Sequence, residues 1–405
     1  MNQFKTFPLS ALLQSNLAKH NFTEPTPVQA AAIEPALAGQ DIVATAQTGT
    51  GKTLAFVLPM INRLQKDQGK GVRAVVLTPT RELAMQIHET FVKMANGSPV
   101  RAAVIVGGVG ENSQLQAIRK GAQVLIATPG RLYDFQSRKL VDLSQVRIAV
   151  LDEADRMLDM GFLPTVSRIL DAMPGDRQTL LFSATIENSV RHLVETYVRD
   201  AIRIEIGSTT RTADKIDLHL YEVEPEGKFG LLTSMLQEQE GSFLVFARTK
   251  RGAEKLATRL SRDGGVKTAA IHGDRSQNQR NQALKGFQDG YYRVLVATDV
   301  AARGIHVEGI SHVVNYDLPQ APEDFIHRVG RTGRAGATGT ATTFATRAER
   351  SEIARIERML NTKLVRQGAA ANVVEMPQPR NVRSFGSRRG RPSRGPVRRQ
   401  LSCVV

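Results

Sequence analysis

Short apolar runs alternate along the chain with segments whose apolar residues fall at helical spacing, and this alternation restricts the fold more than any other feature. In the first half the runs are DIVATA, RAVVLTP, RAAVIV, QVLIATP, RIAVLDE, QTLLFSA and IRIEI, separated by stretches such as LAMQIHETFVKMA and SVRHLVETYVR. Such runs predict strands of a mainly parallel sheet, and the amphipathic segments between them predict helices on both of its faces. After GSTTRTADK the pattern restarts with IDLHLYEV, SFLVFA, VKTAAIH, YRVLVATD, SHVVNYD and TATTFAT. Two α/β domains are expected, at 1–206 and 217–366, with a polar linker at 207–216 and a tail of different composition at 367–405.

Composition narrows the setting. At 405 residues, 41% hydrophobic and 5% aromatic, the chain can bury two ordinary cores. Cys403 is the single cysteine, so no internal disulfide is possible, and it lies one position too late for a prenylation box. The start, MNQFKTFPLSALLQSN, lacks a charged segment followed by an apolar one, and no apolar stretch approaches the roughly 20 residues that span a bilayer. A cytoplasmic protein with no membrane partner is expected. Net charge is +15, which points to polyanions. Glu375 is the last acid, and eight arginines follow it. The stretch RSFGSRRGRPSRGPVRR is too poor in apolar residues to order itself and reads as a disordered, Arg-rich tail suited to nucleic acid.

One strand-like run, RIAVL, stops abruptly in Asp152, Glu153 and Asp155. The simplest account is that Asp152 or Asp155 caps a helix suggested by RMLDMGF. The alternative is ligand chemistry, because the carboxyl ends of parallel strands are where such sheets bind, and clustered acids suit a hydrated cation. The segment AQTGTGKT at 46–53 favours the second account. It matches a phosphate-binding loop between a strand and a helix, with Ala46 in place of the first glycine. Thr48, Gly49, Thr50 and Gly51 would line the phosphates, Lys52 would reach the β and γ groups, and Thr53 would hold magnesium. In an NTPase, Asp152 would hold the same ion through water and Glu153 would orient or deprotonate the attacking water.

The sequence DEAD at 152–155 and its companions resemble the DEAD-box ATP-dependent RNA helicases, from about Phe4 to Leu364, and among them most the compact bacterial RhlE-like members. The companions stand in the family's order: PTPVQ (25–29), PTRELA (79–84), Gly107-Gly108, TPGR (128–131), SAT (183–185), Gln277 with Arg280, ATDVAARGI (297–305) and HRVGRTGR (327–334). The resemblance implies tandem RecA-like domains, ATP and Mg2+ as cofactors, and RNA as the partner. It puts Gln29 on the adenine edge and Phe22 near its face. It assigns RNA contacts to Pro79, Thr80, Arg81, Gly108, Thr128, Gly130, Arg131, Gln277, Arg280 and Thr298. It assigns catalysis to Lys52, Asp152, Glu153, Arg331 and Arg334, the two arginines arriving from the second domain. Asp155, Ser183, Thr185 and His327 would couple hydrolysis to domain contacts.

Groups of this kind recognise phosphates and 2′-hydroxyls without reading bases, so the core is expected to bind RNA irrespective of sequence. The chain departs from the family where Arg-Gly-x-Asp is usual: it has Arg303-Gly304-Ile305-His306, leaving ribose contact to His306. The implied action is local strand separation or remodelling of RNA–protein complexes by a monomer, with ribonucleoprotein or ribosomal partners. Rival readings are an ATP-driven RNA clamp and a small-molecule kinase, the latter lacking any separate substrate motif.

Overall fold

Each apolar run forms a strand. The computed structural model describes residues 3–46, 50–67, 69–186, 188–206, 216–302, 307, 309–333 and 338–367. In the first lobe these runs are β1 (Ile42–Ala46), β2 (Ala74–Leu77), β3 (Ala102–Ile105), β4 (Val124–Ala127), β5 (Ile148–Leu151), β6 (Gln178–Ser183) and β7 (Ile202–Ile206). They lie in the order β3-β4-β2-β5-β6-β1-β7, all parallel. The second lobe repeats the plan with β8 (Ile216–Glu222), β9 (Phe243–Phe246), β10 (Thr268–Ile271), β11 (Val294–Ala297), β12 (His312–Asn315), β13 (Gly339–Ala345) and β14 (Val365–Gln367). Their order is β10-β11-β9-β12-β13-β8-β14, again parallel.

Helices cover both faces. In the first lobe they are α1 (Ala11–Lys19), α2 (Pro27–Leu37), α3 (Lys52–Leu64), α4 (Arg81–Met94), α5 (Glu111–Arg119), α6 (Pro129–Ser137), α7 (Ala154–Asp159), α8 (Leu163–Asp171) and α9 (Asn188–Tyr197). In the second they are α10 (Lys228–Glu238), α11 (Lys250–Asp263), α12 (Gln277–Gln288), α13 (Asp299–Ala302), α14 (Pro322–Val329) and α15 (Arg350–Leu360). Strands β2, β4, β5, β9 and β11 are apolar at every position because each face meets its own core. Ala74 and Val76 enter one apolar layer while Val75 and Leu77 enter the other, as do Leu244 and Phe246 against Phe243 and Val245.

Two features differ from the sequence expectation. RMLDMGF does not form one helix, because α7 ends at Asp159 and Gly161 turns the chain at φ +77° before α8. Strand β14, two of whose residues are exposed, has no apolar signature and forms only by pairing with β8. No helix among the described residues is long and apolar enough to cross a membrane.

The ends of the strands remote from the motifs are tied by Asp41. Its Oδ1 accepts from the Thr179 amide and its Oδ2 from the Arg199 amide, both at 2.8 Å, while its carbonyl accepts from Ile202 at 2.9 Å. Replacing Asp41 by Ala would orphan two of these donors, each costing about 1–3 kcal/mol. The Asp41→Ala protein should therefore unfold at clearly lower urea, with Asp41→Asn falling less; unchanged midpoints would show that the anchor carries no stability.

Candidate active site

Between β1 and α3, Gly51 stands at φ +81°, and a Cβ there would lie 2.6 Å from Nε2 of Gln29. Glycine is required by both conformation and space. Gln29 fixes this corner: Nε2 donates to the Gly51 carbonyl at 2.8 Å, and Oε1 accepts from the Thr26 amide at 2.9 Å within the capping box that starts α2. Lys52 is buried, and its Nζ donates back to the Ala46 carbonyl at 2.8 Å. Thr50 and half-buried Thr53 flank these groups, whereas Thr48 and Gly49 lie outside the described residues. Phe22, just upstream of α2, is 38% exposed and presents its ring at the surface.

Asp152 and Glu153, at the end of β5, are 3% and 7% exposed. Burial lifts the Asp152 carboxyl from its ordinary 3.8 to about 7; the Lys52 ammonium opposes the rise and the charges of Glu153 and Asp155 add to it. Glu153 is the N-cap of α7 at φ +53°, a left-handed position uncommon for a residue with a side chain. It makes no capping bond, and its Oε2 is buried with no hydrogen-bond partner among the described residues. Asp152 accepts from the adjacent Glu153 amide at 3.1 Å, but it is not the N-cap residue of α7. An orphaned carboxylate oxygen beside a carboxyl held partly neutral fits a site completed by a cation and a water. No group of three His, Cys, Asp or Glu side chains among the described residues could hold a metal. A magnesium ion would therefore rely on Thr53, on Asp152 through water, and on nucleotide oxygens.

Asp155 turns the other way. Its Oδ2 accepts from the amides of Ala184 (2.9 Å) and Thr185 (3.0 Å) and from Thr185 Oγ1 (3.3 Å). Its own amide donates to Ser183 Oγ at 3.2 Å, and that hydroxyl donates to the Thr185 carbonyl at 2.7 Å. The ends of β5 and β6 are thus clasped into one unit.

From the second lobe α14 brings His327, Arg328 and, just beyond it, Arg331, all buried. Arg331 donates through Nε to the His327 carbonyl at 3.1 Å. Arg328 is the structural arginine of the set: it holds Asp299 with two bonds of 2.5 and 2.7 Å and donates to Asn315 Oδ1 and the Asp317 carbonyl. Arg156, next to Asp155, forms a buried 3.8 Å ion pair with Asp324 of α14, which joins the two lobes. Arg334 and residues 303–306, with His306, lie outside the described residues, as do the linker at 207–215 and the tail from 368.

The other end of the first sheet gathers basic groups. Arg81 at the start of α4 packs against Gly108, where a Cβ would overlap its guanidinium. Burial depresses the Arg81 pKa, Glu82 opposes that, and the charges of Arg280 and Arg131 depress it further. Three like charges converge, which suits a phosphate backbone. Thr80 caps α4, accepting from the Leu83 amide at 3.3 Å, and Pro79 is buried beside it. Arg131 donates to the Val109 carbonyl at 3.3 Å, next to half-buried Thr128 and exposed Gly130. Thr298 is buried at the end of β11. A second bridge between lobes lies here: Glu82 accepts from Gln277 Nε2 at 3.0 Å and pairs with Arg280 at 3.1 Å.

The comparisons bear on this geometry. The DEAD/DEAH box helicase family matches residues 26–193, and the helicase conserved C-terminal domain matches 227–336. The chain belongs to the DEAD-box helicase family. An ATP-dependent RNA helicase, CshA of Listeria monocytogenes, is 40% identical over 331 residues, 82% of this chain and 63% of that protein. The chain thus spans under two thirds of the length of this curated relative. Among solved structures, S. cerevisiae Dbp5 bound to RNA and ADP BeF3 is 32% identical, covers 91% of this chain and 96% of its own, and superposes with a TM-score of 0.82. Mss116p bound to ssRNA and AMP-PNP gives 27%, 91%, 79% and 0.83 for the same measures. A DEAD box protein from Methanococcus jannaschii is more similar in sequence, at 38%, yet superposes at 0.54 over 90% of this chain and 99% of its own.

Sequence reasoning within this DEAD-box chain did not single out Glu82 or Arg328. As an acid in the first turn of α4, Glu82 reads as a partner of the helix dipole. Arg328 stands among arginines that look alike until one is buried.

The Asp152 environment makes a testable statement about the unliganded protein. Its folded pKa of about 7 exceeds the unfolded 3.8, so the cost of ionising it appears as pH rises through that window and is complete above 7. That cost is on the order of 4 kcal/mol. Asp152→Asn should therefore raise the melting temperature without nucleotide at pH 8, by less at pH 5; an equal or lower melting temperature at pH 8 would refute the strain.

Proposed function

We propose that the protein is an ATP-dependent RNA helicase that closes its two lobes on ATP, magnesium and one RNA strand, and thereby opens short duplexes or remodels RNA–protein complexes. The observation that carries the reading is the pair of bridges between lobes, Arg156–Asp324 beside the nucleotide residues and Glu82 with Gln277 and Arg280 beside the basic cluster. Each ligand surface is completed by the other lobe. The closer superposition on RNA-bound relatives than on a relative of higher identity supports a closed arrangement.

In this reading Lys52 exchanges its bond to the Ala46 carbonyl for phosphate oxygens, and Arg331 approaches the same phosphates from α14. Thr53 and, through water, Asp152 would hold magnesium, whose charge would let Asp152 ionise. Glu153, with its open Oε2, accepts a hydrogen bond or a proton from the attacking water. Arg81, Arg131 and Arg280 hold the RNA backbone, and their mutual repulsion is relieved when phosphates enter. Asp155 passes a change at β5 to the Ser183–Thr185 turn because the two share hydrogen bonds. The Arg-rich tail adds sequence-blind phosphate contacts. A cytoplasmic monomer with ribonucleoprotein or ribosomal partners completes the reading, with His306 on the ribose and Gln29 and Phe22 on the base.

Glu153→Gln keeps the shape but loses the base, so RNA-stimulated ATP turnover should fall at least about 100-fold while RNA binding with ATP persists. Turnover within threefold of the parent would sink the assignment. Glu82→Ala tests closure itself: with Arg280 left unpaired among like charges, the RNA needed for half-maximal ATPase should rise about tenfold, while turnover without RNA stays unchanged. An unchanged RNA requirement would show that the bridge does not govern closure.

A further inference from the structure

Strand β10 is one edge of the second sheet, and over it runs a groove of about 640 Å3 between α11 and α12. Ala257, Ala269, Ala270 and Ala283 line part of it, and its polar lining is Thr258 and Arg262, the latter paired with Asp263, on one side and Gln279 and Gln282 on the other, with Arg275 at the end nearest the lobe junction. Arg275 lies two residues before Gln277, so the groove begins where the first-lobe bridge ends. Helix α11 carries five basic residues against two acidic ones. Arg251, Lys255 and Arg262 are exposed at spacings that place them along one side of it. The acid inside the groove, Glu254, is answered locally, by His272 at 2.8 Å and Arg275 at 2.5 Å.

At the far end stands an aromatic platform that no motif explains. Tyr291 is 58% exposed, braced edge-on by Tyr292 at 4.9 Å, with Lys267 Nζ 4.5 Å from its ring centre. Neither Lys255 nor Lys267 has an ion pair among the described residues. An exposed ring beside a cation is what single-stranded nucleic acid stacks on, and a groove of donors is what its backbone follows.

We propose that this groove and the Lys267–Tyr291 platform form a second RNA site that holds the single-stranded flank of a strand already bound between the lobes. The inference rests on the RNA reading above and extends it. Helix α11 is 14 residues long, about 21 Å, enough to accompany about six phosphates of a stacked strand. The rival occupant of a sheet edge is an extended peptide. Apolar subsites for alternate side chains would favour a peptide, whereas the apolar lining here is limited to alanines and Tyr292, and α11 carries an excess of positive charge.

The test compares, in the full-length protein with a non-hydrolysable ATP analogue, an RNA strand just long enough to saturate the ATPase with the same strand extended by about six nucleotides at its 5′ or its 3′ end. In the parent the extension should tighten binding about tenfold at low salt, at one end only. Lys255→Glu/Lys267→Glu/Tyr291→Ala should abolish that gain without changing the melting temperature or turnover on the short strand. Tyr291→Ala alone should remove a part of the gain that is insensitive to salt. The tail is present throughout, so its contribution cancels. Equal gains in the parent and triple variant, or no gain in the parent, would overturn the proposal. Slower amide exchange at β10 with an extended peptide but not with extended RNA would overturn it in favour of a peptide site. Should the short strand fail to stimulate ATPase at all, the helicase reading falls, which is a separate result.

Discussion

A strand that must lie parallel to its neighbour has to be reached by a crossover, and every crossover here returns the chain to the same end of the sheet. The carboxyl ends of the strands are therefore left as a row of short loops, each followed by the start of a helix. That row carries the residues of the candidate site. Backbone amides at helix starts point into it, and polar side chains needed to cap those helices, such as Thr80, stand where a ligand would lie.

Charge is divided along this row. The nucleotide end concentrates negative charge in Asp152, Glu153 and Asp155, with burial holding Asp152 up to about 7. The other end concentrates positive charge in Arg81, Arg131 and Arg280. In the proposed function the first pole would suit a cation with its nucleotide and the second a polyanion. There, electrostatic tension of this kind would make ligand binding and lobe closure interdependent, because each ligand would remove a repulsion that closure alone would aggravate.

Between the poles the structure is stiff where stiffness matters. Asp155 clasps the Ser183–Thr185 turn, Arg328 clamps Asp299 in a bidentate pair, and Gln29 ties α2 to the phosphate loop. None of these groups needs to touch the reacting atoms. They fix the positions of those that would, as preorganised electrostatics requires. The groove along α11 leads away from the junction of the lobes toward the exposed Tyr291 ring.

The sequence by itself determined the class of fold, because burial on two faces writes a local signal: runs such as RIAVL and SFLVFA are apolar at nearly every position. It also carried the family, since AQTGTGKT and DEAD can be read without knowing what lies nearby. The tertiary structure alone decided how the motifs are sorted. In the chain the nucleotide and RNA motifs alternate, yet the sheet order β3-β4-β2-β5-β6-β1 places the loops after β3, β4 and β2 together at one end and those after β5, β6 and β1 at the other. It alone showed that RMLDMGF is broken at Gly161, that β14 exists, and that Glu82 meets Gln277, 195 residues away. The physical reason is the same in each case. Periodic burial is a property of neighbours in sequence, whereas strand order and the pairing of a buried charge depend on which distant segment packs alongside, and no local pattern encodes that choice.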